Sequence, residues 1–257
     1  MFGARHRRWS IALLLAVLSS LANAAEPRSH PVAELQPLQA GVTLPVAVQR
    51  TLAAGKVKLG TVFWVATTQR VPVSQDAYLN RGVRVRGEVV TSDPGNGTAA
   101  HPSVLAIRFT QITYEGKMVL VQMRAIAAAN LMNVADTFRP TNGGADRGNP
   151  SEANWNTRQV GGDEVYRAGW SGEVINSVTR TVGYADFYGV YSFPVKLDGG
   201  RVPRAMGVFS TSAEGLYGYD RGAEMNSLGG LITITNPEKR ALIRGGDNLL
   251  LEVVPTR

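Results

Sequence analysis

Cysteine is absent from the 257-residue chain. Disulfides, a thiol nucleophile and thiolate metal sites are therefore excluded, and stability has to come from the core. Histidine is scarce as well: His6, His30 and His101 are the whole complement, and none stands in a recognisable motif. The sequence holds no G-x-S-x-G, H-E-x-x-H, Walker A or G-x-G-x-x-G pattern, so it offers no catalytic residue, no metal ligand and no cofactor site. Runs of positive charge are missing too. Beyond residue 24 the basic side chains are scattered, with Lys239-Arg240 the only adjacent pair. Nucleic-acid binders concentrate such charge on one face, so no nucleic-acid partner is expected.

What is present begins with Arg5, His6, Arg7 and Arg8, an apolar run from Ile11 to Leu18, and the small-residue sequence Ala22-Asn23-Ala24. This is the three-part pattern of a secretory signal peptide over residues 1–24, with cleavage after Ala24. Ser19, Ser20 and Asn23 break the apolar run well short of the roughly 20 residues a transmembrane helix needs. The expectation is a periplasmic or secreted protein with no integral membrane span after cleavage. Loss of three arginines leaves 24 basic against 20 acidic residues, a net of +4. That mild excess suits solubility and weak affinity for anionic envelope surfaces. Residues 25–40 carry Pro27, Pro31 and Pro37 without sustained periodicity and read as a Pro-rich extended leader.

From Gly41 the pattern is one of strands. Val42, Leu44, Val46 and Val48 alternate with smaller or polar residues; Val62 to Val65 is β-rich; Val83 and Val85 alternate with Arg84 and Arg86; Leu105, Ile107 and Phe109 follow. Turn sequences separate them at Asn80-Arg81-Gly82, Asp93 to Gly97 and Tyr114 to Lys117. Met118 to Ile126 reads as one apolar strand covered on both faces, and beyond Ala127 helix and strand are equally open. The predicted fold class is all-β, an antiparallel β-sandwich or barrel over residues 41–130. A loop or linker follows over 131–154, then a second Gly- and aromatic-rich β unit over 155–257. Of the 19 aromatic residues, 11 lie between Trp155 and Tyr219.

Two sets of side chains are candidates for binding. Arg84 and Arg86 share one strand face, with Arg81 in the turn beside them, and would dock an acidic envelope partner or simply form a solvated face that resists edge-to-edge pairing. Trp170, Tyr184, Tyr188 and Tyr191, flanked by glycines, would line a groove for a cell-wall glycan or fill a β core with hydroxyls at its rim. Glycoside hydrolysis needs two carboxylates across the sugar, and Asp163, Glu164, Glu173, Asp186, Glu214, Asp220 and Glu224 are the acids of the aromatic half. Strands of the 9–11 residues that an outer-membrane barrel uses are rare in the pattern.

The segments Gly41-Val42-Thr43-Leu44-Pro45-Val46, Lys58-Leu59-Gly60-Thr61 and Leu79 to Val89, with the closing Ala241 to Leu251, resemble the β-barrel domain of TrbI-like conjugation and type IV secretion channel components. The antenna helices of that family are not recognisable here. In texture, Ala153 to Arg167 and Gly207 to Gly218 are similar to uncharacterised secreted β-rich bacterial envelope proteins. The resemblance implies a non-catalytic exported protein with a structural or adaptor role. The alternative is a secreted glycan-binding protein or glycosidase using the aromatic half.

Overall fold

The structure is a computed structural model and describes residues 38–114, 116–141, 154–197 and 200–255. The signal-peptide and leader expectations, apart from residues 38–40, lie outside these, as do residues 142–153 of the expected linker. The first strands are β1 (Thr43–Val48), β2 (Leu52–Ala53), β3 (Val62–Thr67), β4 (Val71–Pro72), β5 (Tyr78–Leu79), β6 (Arg84–Asp93), β7 (Ser103–Tyr114), β8 (Lys117–Leu120) and β9 (Met123–Ala129). After a short helix α1 (Leu131–Asp136) come β10 (Asn154–Arg158), β11 (Glu164–Ala168), β12 (Ser171–Ile175), β13 (Thr181–Asp186) and β14 (Gly189–Ser192). The chain ends with β15 (Val195–Leu197), β16 (Gly200–Val202), β17 (Gly215–Tyr217), β18 (Glu224–Leu228), β19 (Leu231–Asn236), β20 (Leu242–Ile243) and β21 (Asn248–Val253). Among the described residues no helix is long and apolar enough to cross a membrane.

The expected all-β class and barrel hold: a ten-stranded, nearly closed sheet dominates the molecule. Its order is β17-β9-β21-β1-β3-β6-β7-β19-β18, with β8 paired to β7 off that path. All neighbours are antiparallel except β17 and β9. Strands from both 41–130 and 155–257 therefore share one sheet. The separate Gly- and aromatic-rich unit is a five-stranded meander, β10 to β14, covering only Asn154–Ser192.

Alternation in the sequence sets the faces. On β6, Val85, Gly87 and Val89 turn inward while Arg84, Arg86 and Glu88 turn outward. Gly87 is required by proximity: a Cβ there would lie 2.3 Å from the Phe63 ring. Phe63 packs edge-on against Phe109 at 5.6 Å in the barrel interior, among Leu44, Val65, Ile107, Ile232 and Leu251. A second cluster, with Leu250, Ala127, Met206 and Phe209, covers the outer side of β9 and β21. Val165, Val174, Ala185 and Val190 form the small core of the meander.

Two local expectations change. The run from Met118 to Ile126 is not one covered strand; it breaks at Val121-Gln122, because β8 folds back on β7 whereas β9 departs to pair with β21. Met118 and Leu120 are consequently 73% and 79% exposed. After Ala129 the chain turns helical for six residues, capped by Asn130, whose side chain accepts from Asn133 N.

Candidate functional site

The meander docks on the barrel through a buried amide. Gln69, 5% exposed just after β3, accepts from Val190 N at 3.0 Å and Gly207 N at 2.9 Å, and donates from Nε2 to Val190 O at 3.0 Å. Its carboxamide thus pairs with β14 as another strand would. Gly189 leaves room for it, since a Cβ there would lie 2.5 Å from the Gln69 amide carbon. Tyr191 adds a second tie, its hydroxyl donating to Arg70 O at 3.2 Å.

Beside this joint lies a cleft of about 760 Å³ whose lining includes Gln69, Arg70, Arg81, Phe138, Trp155, Arg167, Trp170, Asp186, Phe187 and Tyr188. Its aromatic rim is built by a tight turn. Phe187 and Tyr188 are the two residues linking β13 to β14, where Asp186 pairs with Gly189. Such short loops favour Asn and Gly at positive φ; here neither aromatic has positive φ, and Asp186 Oδ1 instead accepts from Tyr188 N at 2.7 Å and Gly189 N at 3.0 Å. Trp170 meets Phe187 edge-on at 5.5 Å, and Phe187 meets Tyr188 edge-on at 5.4 Å. Trp170, Phe187 and Phe138 are 50%, 69% and 70% exposed, an unusual concentration of solvent-facing rings around one concavity. Phe138 is brought there after α1 by the bridge from Pro140 to Thr157 of β10.

The charged side of the cleft is cationic. The Arg70 guanidinium lies 3.2 Å from the ring centre of Tyr188 and 4.1 Å from that of Tyr78. Arg167 stacks 4.8 Å from the Trp155 ring centre and donates to Thr157 Oγ1 at 3.1 Å; burial lowers its affinity for its proton. Among the described residues Asp186 is the single carboxylate in the lining.

Of the aromatic candidates, the structure places Trp170 and Tyr188 in this cleft and Tyr184 and Tyr191 outside its lining. Tyr191 is 2% exposed and stacks on Tyr184 at 5.2 Å, where burial pushes both phenols up from their ordinary value. Of the arginine candidates, Arg81 reaches the cleft rim, whereas Arg84 lies over the outer-face Trp64 at 4.3 Å and Arg86 donates to Thr110 Oγ1 at 3.2 Å. Arg84 and Arg86 share the outer face of β6. Sequence reasoning missed Arg70, Phe138, Trp155, Arg167 and Phe187. An adjacent Phe and Tyr between Asp186 and Gly189 was the one available clue, because apolar rings at a hairpin tip have no core to fill.

The acids divide. Asp163 is buried and accepts from Thr211 N and Oγ1; Glu164 pairs with Arg158 and accepts from Tyr166, which hold its carboxyl below the ordinary value; Glu173 accepts from Thr181; Asp220 pairs with Lys239. Glu214 and Glu224 line a second concavity of about 810 Å³, at the seam where β18 comes beside β9. There Ser227 Oγ accepts from Ala125 N at 2.9 Å, a side chain standing in for a ladder bond. The seam lining has no aromatic ring. Among the described residues, Glu214 and Glu224 thus line a different concavity from the exposed aromatics. No protein-family model, curated protein or solved structure matches this chain significantly.

Proposed function

We propose that this is an exported, non-catalytic envelope protein that holds a glycan in the cleft between its barrel and its aromatic meander. The observation that carries the reading is the rim of Trp170, Phe187 and Phe138, exposed around a concavity large enough for a small ligand. Flat apolar rings match the faces of sugar rings, and their exposure costs solubility unless something uses them. A lining with one carboxylate among the described residues supports binding over hydrolysis, which takes two. The N-terminal pattern of Arg5 to Ala24 supports export. Isothermal titration of the purified protein with soluble cell-wall oligosaccharides tests it. Binding that weakens at least tenfold in Trp170→Ala and Phe187→Ala, with unchanged melting, is the expected result; absence of binding at any salt concentration sinks the reading.

A second reading, an envelope adaptor, is favoured by the seam, where the edges of β9 and β18 are bridged by Ser227 rather than by a continuous ladder. Gentle extraction from envelopes separates the two: a native size well above that of the purified chain supports the adaptor, and a monomer removes it.

A further inference from the structure

Among the described residues the guanidiniums of the cleft have no ion-pair partner. Among the described residues neither Arg70, Arg81 nor Arg167 has a carboxylate within ion-pair distance, although Arg108, Arg124 and Arg158 elsewhere each have one. Arg81 is exposed and solvated. Arg70 and Arg167 are not: both are partly buried, and Arg70 Nε is fully buried without an acceptor. Shielding a guanidinium from water without an anion is costly, and a buried donor left unsatisfied adds to that cost. Stacking offsets only part of it. The rings of Tyr78, Tyr188 and Trp155 engage the faces of the two guanidiniums; Arg70 Nε is buried and Arg167 Nη1 donates to Thr157 Oγ1, which leaves the other in-plane N–H donors for a ligand. Asp186 Oδ1 is occupied by two backbone amides of its own turn, and its carboxylate makes no ion pair with either arginine. The same cleft therefore combines exposed rings with two stacked, uncompensated cations.

Resting on the glycan-binding reading, we propose that the cleft takes an acidic glycan, with a sugar ring on Trp170 and Phe187 and its oxyanion received by Arg70 and Arg167. Tyr188 then acts as a positioning residue: its face holds Arg70, and the sugar contacts fall to its neighbours. Carboxylate and sulfate groups share the required chemistry, a planar or tetrahedral oxyanion matched by in-plane N–H donors.

The test compares four probes by calorimetry: tetragalacturonate, its carboxyl-reduced neutral counterpart, a heparin-derived sulfated tetrasaccharide, and sodium sulfate alone. The expected result is that one or both acidic tetrasaccharides bind at least tenfold more tightly than the neutral one, that salt erodes the difference, and that Arg167→Gln abolishes it. Arg70→Lys keeps a cation without the stacked fork and should lose most of the preference. Which acidic probe wins tells carboxylate from sulfate. Equal binding of neutral and acidic forms overturns the acidic-ligand inference and leaves glycan binding standing. Response to sulfate alone, without any tetrasaccharide, overturns both, as does no binding by any probe. Unaltered thermal melting of each variant guards against a fold defect.

Discussion

Replacing Gln69 by Leu removes the clamp between barrel and meander at nearly constant volume. Two amide hydrogens, of Val190 and Gly207, and the Val190 carbonyl lose their partner in a site only 5% exposed. An orphaned buried group costs about 1–3 kcal/mol, and because Gln69 borders the cleft, water can reach part of the site, so the expected total is about 3 kcal/mol. For a chain of this size that lowers the midpoint by about 6–12 °C. Gln69→Glu adds a sign. It keeps the acceptor for Val190 N and Gly207 N but sets a carboxylate oxygen against Val190 O. It should be worse than Leu at neutral pH and recover on acidification, when the protonated carboxyl can donate. Thermal melts followed by circular dichroism, with hydrogen exchange at the Val190 amide, read both effects. A Leu variant melting within about 2 °C of wild type, with the Val190 amide still protected, would refute the claim that this side chain joins the two sheets.

Further substitutions probe other parts of the argument. Gly87→Ala places a methyl against Phe63 and should destabilise by about 1–3 kcal/mol; adding Phe63→Leu should recover part of the loss, as double-mutant melts will show. Asp247, wholly buried, accepts from Leu131 N, Arg244 N and the Tyr219 hydroxyl, so Asp247→Asn turns a donor toward a donor and should cost about 2 kcal/mol in chemical denaturation. Burial raises the pKa of Asp247, so its favourable contribution is present below the ordinary value of 3.8 and is lost as pH rises through the folded value; the Asn variant should flatten that part of the stability–pH profile. Asp93 has the opposite sign. The Gly95 amide, then His101, holds its carboxyl below the same ordinary value, so its contribution is full above 3.8 and lost as pH falls through the lower folded value, which carboxyl NMR titration of wild type and His101→Ala can follow.

Much of the barrel was legible because alternation is a local property. Val83 to Val89 announces which face is buried, and the burial of Val85, Gly87 and Val89 follows that pattern. The same alternation reads Arg84 and Arg86 as the outer face of β6, where the structure places them. Trp170 was legible as a binding candidate only through its glycine-rich surroundings. Tyr191, of the same kind and in similar company, turned out to be a core residue tying two sheets together. Nothing local distinguishes the two, since a tyrosine on a β-strand has the same neighbours in sequence whether its ring meets solvent or another sheet.

The sequence by itself determined the all-β class, the lack of any thiol chemistry, the alternation of faces and the positions of the main turns. Each follows from residue type and period two, without knowledge of partners. Tertiary structure alone decided which strands meet: β1 lies between β3 and β21, some 200 positions later, and β17 joins β9 in parallel. It also decided the cleft, where Arg70 meets Tyr188 and Arg167 meets Trp155. Period two states which side of a strand is apolar but carries no address for its neighbour. Closing a long loop costs only slightly more than closing a short one, so sequence distance does not select the partner either. That choice was made by the packing of the whole barrel.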